Sequence, residues 1–582
     1  MPSQITNILA GYKKSLDDSQ RRYEAMYTER AHEAKEFYDL FFKSLIRQYT
    51  TILEDRAGRT LLKDRIVQFF GSEGVRFAAI DGTCYKDEFG DYMIFFGASY
   101  GVRGEISFRG DPPVTRYERW SPEQDVSMVA YIPIPFAELG DVAEEQFMVS
   151  PDTDRVTLTS IHTQLMLLAE IYLAYDLVSA STLRPKLLLW DQSMSGVLAS
   201  TDIGVENVKM IGYEYIGRRL KIQDVIVAYS NPYNEILDIP SKKKFRFYNR
   251  ILMETYLHPT ASISNLARKL GLQIDDIMDA LQGERMKDYL IKSPKNPEAL
   301  LEIDITNDRM TINRQYRESW SYVVSLFANI CTKLFKDKDL NAFIYEKEID
   351  GEVRERWMSP DDLRFLIAVG LRAVIEQCWK HNILFIGIAK DSASRYLSRN
   401  YLGAMRANGM YSFPDRVLPW TDRTFLELIP MIDDSISAPW STIEFDSVFM
   451  TLAFRPPQVG LPPRIAGVKG DVVNAERLFV RSLAQFYVNR AKTTPLCGHV
   501  IFIDRLVNPS TDRNFWGRHS LEGPEIGKIE PIIYRDKDEV NIGQDLTIYF
   551  LDILTKNLYP EVMAIQTHCT RLIGVQKAFE RR

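Results

Sequence analysis

Three short apolar runs in this chain end on charge: "FAAIDGTCY" (Phe77 to Tyr85), "KLLLWDQS" around Asp191, and "NILFIGIAKDS" running into Lys390 and Asp391. A run of that length bounded by turn residues reads as a buried strand. An ionised carboxylate at the end of a buried strand is costly unless a cation or hydrogen-bond donors meet it. The pattern therefore predicts a sheet with acidic side chains gathered where strands stop, with Asp81 closing the first strand and Gly82 and Thr83 turning the chain away.

The rest of the chain fits an α/β layered fold. Residues 1–60 carry Ile8, Leu9, Tyr12, Leu16, Tyr23, Phe37, Leu40 and Phe41 near helical spacing among charges, as in a long amphipathic arm. "VRFAAID", "DYMIFFGASYGV" and "GEISFRG" read as strands of an antiparallel meander. "TLTSIHTQLMLLAEIYLAYDLVSA" is a strong helix. Residues 61–204 form the first part of the core. Residues 205–375 read as a mostly helical insertion, and residues 376–582 supply the second part, with strands in "TIEFDSVFMTLAF", "HVIFIDRLV" and "EPIIYRD" and a last helix in "LYPEVMAIQTHCTRLIGVQKAFERR". Strands, a helix, then further strands and helices predict a mixed sheet flanked by helices.

With 582 residues and 45% hydrophobic content the chain can bury a large core. A net charge of -6 argues against a generally basic nucleic-acid coat and leaves room for an acidic, metal-binding centre. The cysteines Cys84, Cys331, Cys378, Cys497 and Cys569 form no C-x-x-C pair, so neither a disulfide framework nor a structural zinc site is expected. No apolar run approaches the roughly 20 residues of a membrane span. A soluble protein of the cytoplasm is the expectation.

Asp81, Glu170 and Asp191 are the acids to weigh. Two stand at strand ends, and Glu170 lies in the apolar helix segment "LMLLAEIYLA". Converging carboxylates hold hard divalent cations such as magnesium or manganese through oxygen ligands. Taken singly, each has a plainer use as a turn cap or a solvated acid.

The series resembles the NurA family of nucleases. In that family an apolar strand ending D-G-S is followed by a helical glutamate, a second strand ending D-G, a strand leading into K-D, and a last helix beginning Y-P with a histidine. Here the matching stretches are "AAIDGTC", "LLAEIY", "LLLWDQS", "GIAKDSASR" and "LYPEVMAIQTHCTRL", in that order through most of the chain. Thr83 stands where the family has serine, and Gln192 where it has glycine. The resemblance implies an RNase H-like core and a metal-dependent deoxyribonuclease. It implies that Asp81, Glu170 and Asp191 hold one or two magnesium or manganese ions, with His568 as ligand or proton carrier and Lys390 beside the scissile phosphate. It further implies a homodimer working on DNA with a hexameric HerA-type ATPase, in end processing or defence against phage. A sequence without G-x-x-x-x-G-K-[ST] leaves ATP hydrolysis to such a partner.

Other features bear on nucleic acid. "SKKKFRFYNR" interleaves Lys242, Lys243, Lys244 and Arg246 with aromatics, a combination suited to phosphates and unpaired bases, and equally to a solvated loop. "SISNLARKLGLQIDDIMDAL" has helix-turn-helix spacing, but the carboxylates of its second helix favour packing over groove reading. Two rivals to a nuclease remain. One is a non-catalytic RNase H-like scaffold that binds DNA or an ATPase. The other is a serine hydrolase using Ser99 in the G-x-S-x-G pattern of "GASYG", which requires a helix straight after the serine.

Overall fold

The computed structural model of the chain describes residues 10–19, 21, 34–39, 42–118, 127–141, 160–201, 203–230, 251–252, 255–256, 258, 260–270, 272–283, 287–349, 351–389, 395–402, 421–422, 425–426, 429, 432–446, 451–454, 465–469, 479–486, 500–508, 512 and 541–557. Among them, an 11-stranded mixed sheet organises the molecule. Its strands include β1 (Ile46–Gln48), β2 (Gly74–Phe89), β3 (Tyr92–Ser107), β4 (Val114–Tyr117), β5 (Ser127–Pro135), β6 (Leu187–Trp190), β7 (Leu384–Ala389), β8 (Trp440–Thr442), β9 (Phe479–Gln485) and β10 (Val500–Leu506). The order is β1-β8-β9-β10-β7-β6-β2-β3-β4, with β5 beside the other end of β3 and Phe445–Asp446 beside β9.

An antiparallel meander, β2 with β3 and β3 with β5, is continued by two parallel strands, β6 and β7. That is the mixed sheet flanked by helices that the sequence leads one to expect. Helices cover both faces. On one side α2 (Ile161–Ser179) lies between the sheet and α4 (Pro360–Lys380); on the other, α1 (Arg56–Phe70) and α5 (Ile542–Asn557) pack on Phe77, Ala79, Leu187, Leu189 and Ile386. A short helix, α3 (Met194–Ser200), follows β6. Strand alternation sends Ala78 and Ile80 to the α2 side and Phe77 and Ala79 to the α1 side.

One expectation changes. Asp81 does not close its strand: β2 runs on to Phe89 and pairs with β3 along its whole length, so the segments "DYMIFFGASYGV" and "GEISFRG" are also one strand. What ends near Asp81 is the neighbour on the other edge. β6 pairs with β2 only from Phe77 to Ile80, and the Asp191 amide makes the last bond, 3.1 Å to the Ile80 carbonyl. Gly82 and Thr83 stay extended because β3 still satisfies the ladder. The unbroken β3 also removes the serine-hydrolase rival, since Ser99 is mid-strand and its hydroxyl is buried opposite Gly82.

The N-terminal arm is anchored where it is described. Phe37, Tyr38 and Phe42 are buried against Phe425, Leu426 and Trp440, and Arg47 and Arg65 both pair with the buried Asp545 of α5, at 2.9 and 2.5 Å. Among its described residues the region 205–375 is mostly helical, with short hairpins between the helices. It holds the helices Ile222–Ser230, Ile263–Leu270, Ile274–Gly283 and Ser319–Cys331, together with hairpins such as Ile344–Ile349 with Glu352–Trp357. Its apolar side chains belong to the same cluster as α2 and β3. Asp362, in a capping box with Ser359 at the start of α4, also accepts from the Lys209 and Met210 amides at 2.7 and 2.8 Å. Asp276 of the helix-turn-helix-like pair accepts from the Gln273 amide, a capping role.

Glu376 of α4 gives the fold a pH signature. Its carboxyl accepts from the Trp320 indole at 3.1 Å, the other oxygen is buried without a partner, and burial raises its pKa to about 7 against the pull of Lys380. The folded pKa lies above the unfolded one, so the folded state holds the proton more tightly. Stability contributed by this group is full below the unfolded value and falls as pH rises to about 7. Glu376→Gln should remove that fall and make the protein more stable than wild type at pH 8, by on the order of 2–3 kcal/mol, as read by denaturant unfolding of both proteins across pH.

Candidate metal centre

The centre is built from one helix and two strand ends. α2 is apolar nearly all round because it is covered on one side by the sheet and on the other by α4. Glycines make the close approach possible. A Cβ at Gly97 would strike the Leu165 side chain and Met166 backbone, and one at Gly82 would strike Met166 and the carboxyl of Glu170. At Gly370 a Cβ would strike Ile171 and Phe327, so α4 approaches α2 by the same device.

Glu170 is thereby carried, fully buried, against the backbone of β2. Both of its carboxylate oxygens lack a hydrogen-bond partner. Burial, followed by the charge of Asp81 and then of Asp191, pushes its pKa well above the ordinary carboxylic range. Trp190 and Gln192 pull the other way, being near enough to favour the anion, yet neither makes a hydrogen bond of full geometry to it, and the Trp190 indole nitrogen is itself without a partner. Asp81 is about nine-tenths buried and receives the Gly82 amide at 2.7 Å; Asp191 is half-buried at the end of β6. Asp81 and Asp191 thus both act electrostatically on Glu170.

These donors suit a hard cation: carboxylate oxygens, two of them buried with nothing to bind. Among the described residues, no group of three His, Cys, Asp or Glu is drawn close enough to hold a metal ion. Like charges in a dry site repel, and a proton on Glu170 relieves that repulsion when no cation does. Lys390, Asp391, His568, Lys242, Lys243, Lys244 and Arg246 lie outside the described residues.

Gln192, where glycine was expected, does not prevent close backbone approach. Its carbonyl lies against Gly387 of β7, where a Cβ would collide with it, so the missing side chain is on the neighbouring strand. Sequence reasoning missed the group that fixes the segment after Asp191. Arg481 of β9 binds Asp504 of β10 at 2.6 and 2.9 Å and donates to the Ser193 and Ser195 hydroxyls at 2.6 and 2.7 Å. Asp504 also accepts from both hydroxyls, each at 3.0 Å, and from the Ser195 amide at 3.2 Å. Burial alone would raise the Asp504 pKa, but the Arg481 guanidinium and these donors hold it below the usual range. The signal was present in "HVIFIDRLV", where an acid and an arginine interrupt a run that is buried at every position. The adjoining Arg505 faces the other way in the ladder, to Glu444 at 2.6 Å and Asp512 at 2.9 Å.

No family model and no curated protein matches the chain. Among solved structures it is similar to the NurA nuclease from Sulfolobus solfataricus, at 11% identity and a TM-score of 0.25 over 83% of this chain and 85% of that one. It is similar also to NurA bound to dAMP and manganese, at 13% identity and a TM-score of 0.25 over 84% and 93%. The superpositions are too loose to carry residue roles across, so the centre stands on its own geometry.

Two substitutions test that geometry. Gly82→Ala should push the Glu170 carboxyl off the strand at a cost of about 1–3 kcal/mol, with unfolding and metal titration as the readouts. Arg481→Ala leaves Asp504 buried and unpaired, and denaturant unfolding should show a loss of about 3–5 kcal/mol.

Proposed function

We propose that this chain is a divalent-metal-dependent deoxyribonuclease of NurA type. The observation that carries the reading is Glu170, a carboxylate sealed in the core with both oxygens unbonded beside Asp81 and Asp191. A buried acid without partners is destabilising, and a site that keeps one has a use for its charge. Asp81, Glu170 and Asp191 would hold one or two manganese or magnesium ions. Such an ion supplies Lewis acidity toward a phosphodiester.

The chain's own residues do the rest. α2, pressed onto β2 through Gly82 and Gly97, fixes Glu170 and excludes water behind it. The Arg481–Asp504–Ser193–Ser195 network holds the segment following Asp191. His568 and Lys390 enter this proposal on the resemblance alone, as proton carrier and phosphate contact. A homodimer working with a HerA-type hexameric ATPase is the proposed setting. Exposed Tyr12 and Leu16 on the N-terminal arm are candidate contacts for that partner.

The test is cleavage of end-labelled DNA with manganese or magnesium by wild type, Asp81→Ala and Glu170→Gln, with and without the ATPase. Cutting that requires the metal and falls by about a thousandfold or more in both variants is the expected outcome, given how much metal-assisted hydrolysis contributes. DNA binding without cutting under every condition would favour the non-catalytic scaffold.

A further inference from the structure

The hairpin of β2 and β3 has two faces of opposite character beyond the metal centre. The face toward α2 buries Met93, Phe95, Ala130 and Ile132 of β3 and β5, and carries Lys86 and Glu88 of β2 toward the hairpin tip. The other face carries rings. The unbroken register sets Asp81 opposite Tyr100, Tyr85 opposite Phe96 with Tyr131 beside it on β5, and Phe89 opposite Tyr92. Directly opposed residues point to one face, and so do residues two apart, so these six aromatics share the face of Asp81. Apart from the partly buried Phe96, they are exposed, from 40% at Tyr100 to 74% at Phe89.

A solvent-facing sheet surface normally alternates polar residues outward. This one does not: between Thr83 and Phe89, Tyr92 and Tyr100, and Val129 and Pro135, Asp87 is the one charged residue on that face. The same face is covered by α1 and α5 as far as Ala79, so exposure begins where the metal centre begins.

We propose that this strip is a stacking platform for the unpaired bases of a nucleic-acid strand whose phosphodiester lies at Asp81, Glu170 and Asp191. The inference rests on the nuclease reading and deepens it, by making single-stranded DNA the preferred form at this site. Along each strand the rings stand four residues apart, Tyr85 and Phe89 on β2 and Tyr92, Phe96 and Tyr100 on β3, about 13 Å at ~3.3 Å per residue, so that a strand laid along the strip meets a row of rings at intervals rather than at every base. Stacking on exposed aromatics is indifferent to sequence and selective for unpaired bases. The occupant is argued from continuity: Asp81 shares this face and its row with Tyr100, and the rows of Tyr85 with Phe96 and of Phe89 with Tyr92 lie beyond it on the same face. A second copy of the chain on the same strip is the competing occupant.

The experiment measures binding of the full chain, in EDTA, to fluorescent oligothymidylate and to a blunt duplex. The proteins are wild type, Phe89→Ala with Tyr131→Ala, and Phe89→Tyr with Tyr131→Phe, all checked by sedimentation velocity. The alanine pair should weaken strand binding roughly tenfold or more, since each stacked base contributes substantially. Duplex affinity should move by less than about twofold, because a duplex is held through its phosphates. The ring-preserving pair should bind as wild type does. Unchanged strand affinity in the alanine pair, equal weakening toward both DNAs, or a dimer that dissociates while strand binding is retained would each overturn the platform. Because binding is read without metal, wild type that binds strands selectively yet cuts nothing with manganese would defeat the nuclease reading and leave the platform standing.

Discussion

The contact on which the rest depends is that of α2 with the β2–β3 hairpin. It is close because Gly82 and Gly97 present no side chain to the helix. Closeness dries the interface, and dryness gives Glu170 its character, since a carboxyl that cannot reach water keeps its proton or finds a cation. α4 presses on the far side of α2 through Gly370, so the helix that carries the acid is fixed between two layers. A site on such an element is held more tightly than one on a loop.

Around this contact the molecule distributes buried charge unevenly. Asp504 and Arg481, Asp545 with Arg47 and Arg65, and Arg505 with Glu444 and Asp512 are all neutralised by partners within hydrogen-bonding reach. Each joins segments far apart in sequence, as when Asp545 ties the N-terminal arm to α5. Glu170 is buried just as deeply and has no such partner. The contrast is the physical argument for a site: the fold pairs these buried ions and leaves a single oxygen of Glu376 unbonded, but both oxygens of Glu170.

Much of this was legible in the amino-acid sequence, and for definable reasons. β6, β7, β10 and α2 announce themselves as apolar runs of strand or helix length, and the acids at their ends follow from the cost of burying charge. The continuation of β2 past Asp81 was not legible. Gly82 and Thr83 look like a turn when read locally, and only pairing with β3 keeps them extended. "TIEFDSVFMTLAF" starts at the end of Trp440–Thr442 and breaks into Phe445–Asp446, which like Trp440–Thr442 pairs with β9, and Thr451–Phe454, which pairs with Ile465–Lys469. The Arg481 network was out of reach because its members, Ser193, Arg481 and Asp504, meet only through sheet order. The aromatic face needed the register, since the rings lie on three strands and become a surface only when β2, β3 and β5 are aligned.

The proposed chemistry also has to answer an electrostatic objection. The three carboxylates of the proposed centre, in a chain of net charge -6, would repel a phosphate backbone until a cation intervenes. Even then a divalent ion offsets only part of the acidic charge around it. A strand drawn to such a centre therefore needs attraction that does not depend on the sign of the local field. Base stacking provides it, because the faces of bases and of tyrosine and phenylalanine rings carry no net charge. Asp81 of the acidic centre and an aromatic approach on its own sheet face are then two parts of one solution: the carboxylates collect the metal, and the rings hold the polyanion by its least charged atoms.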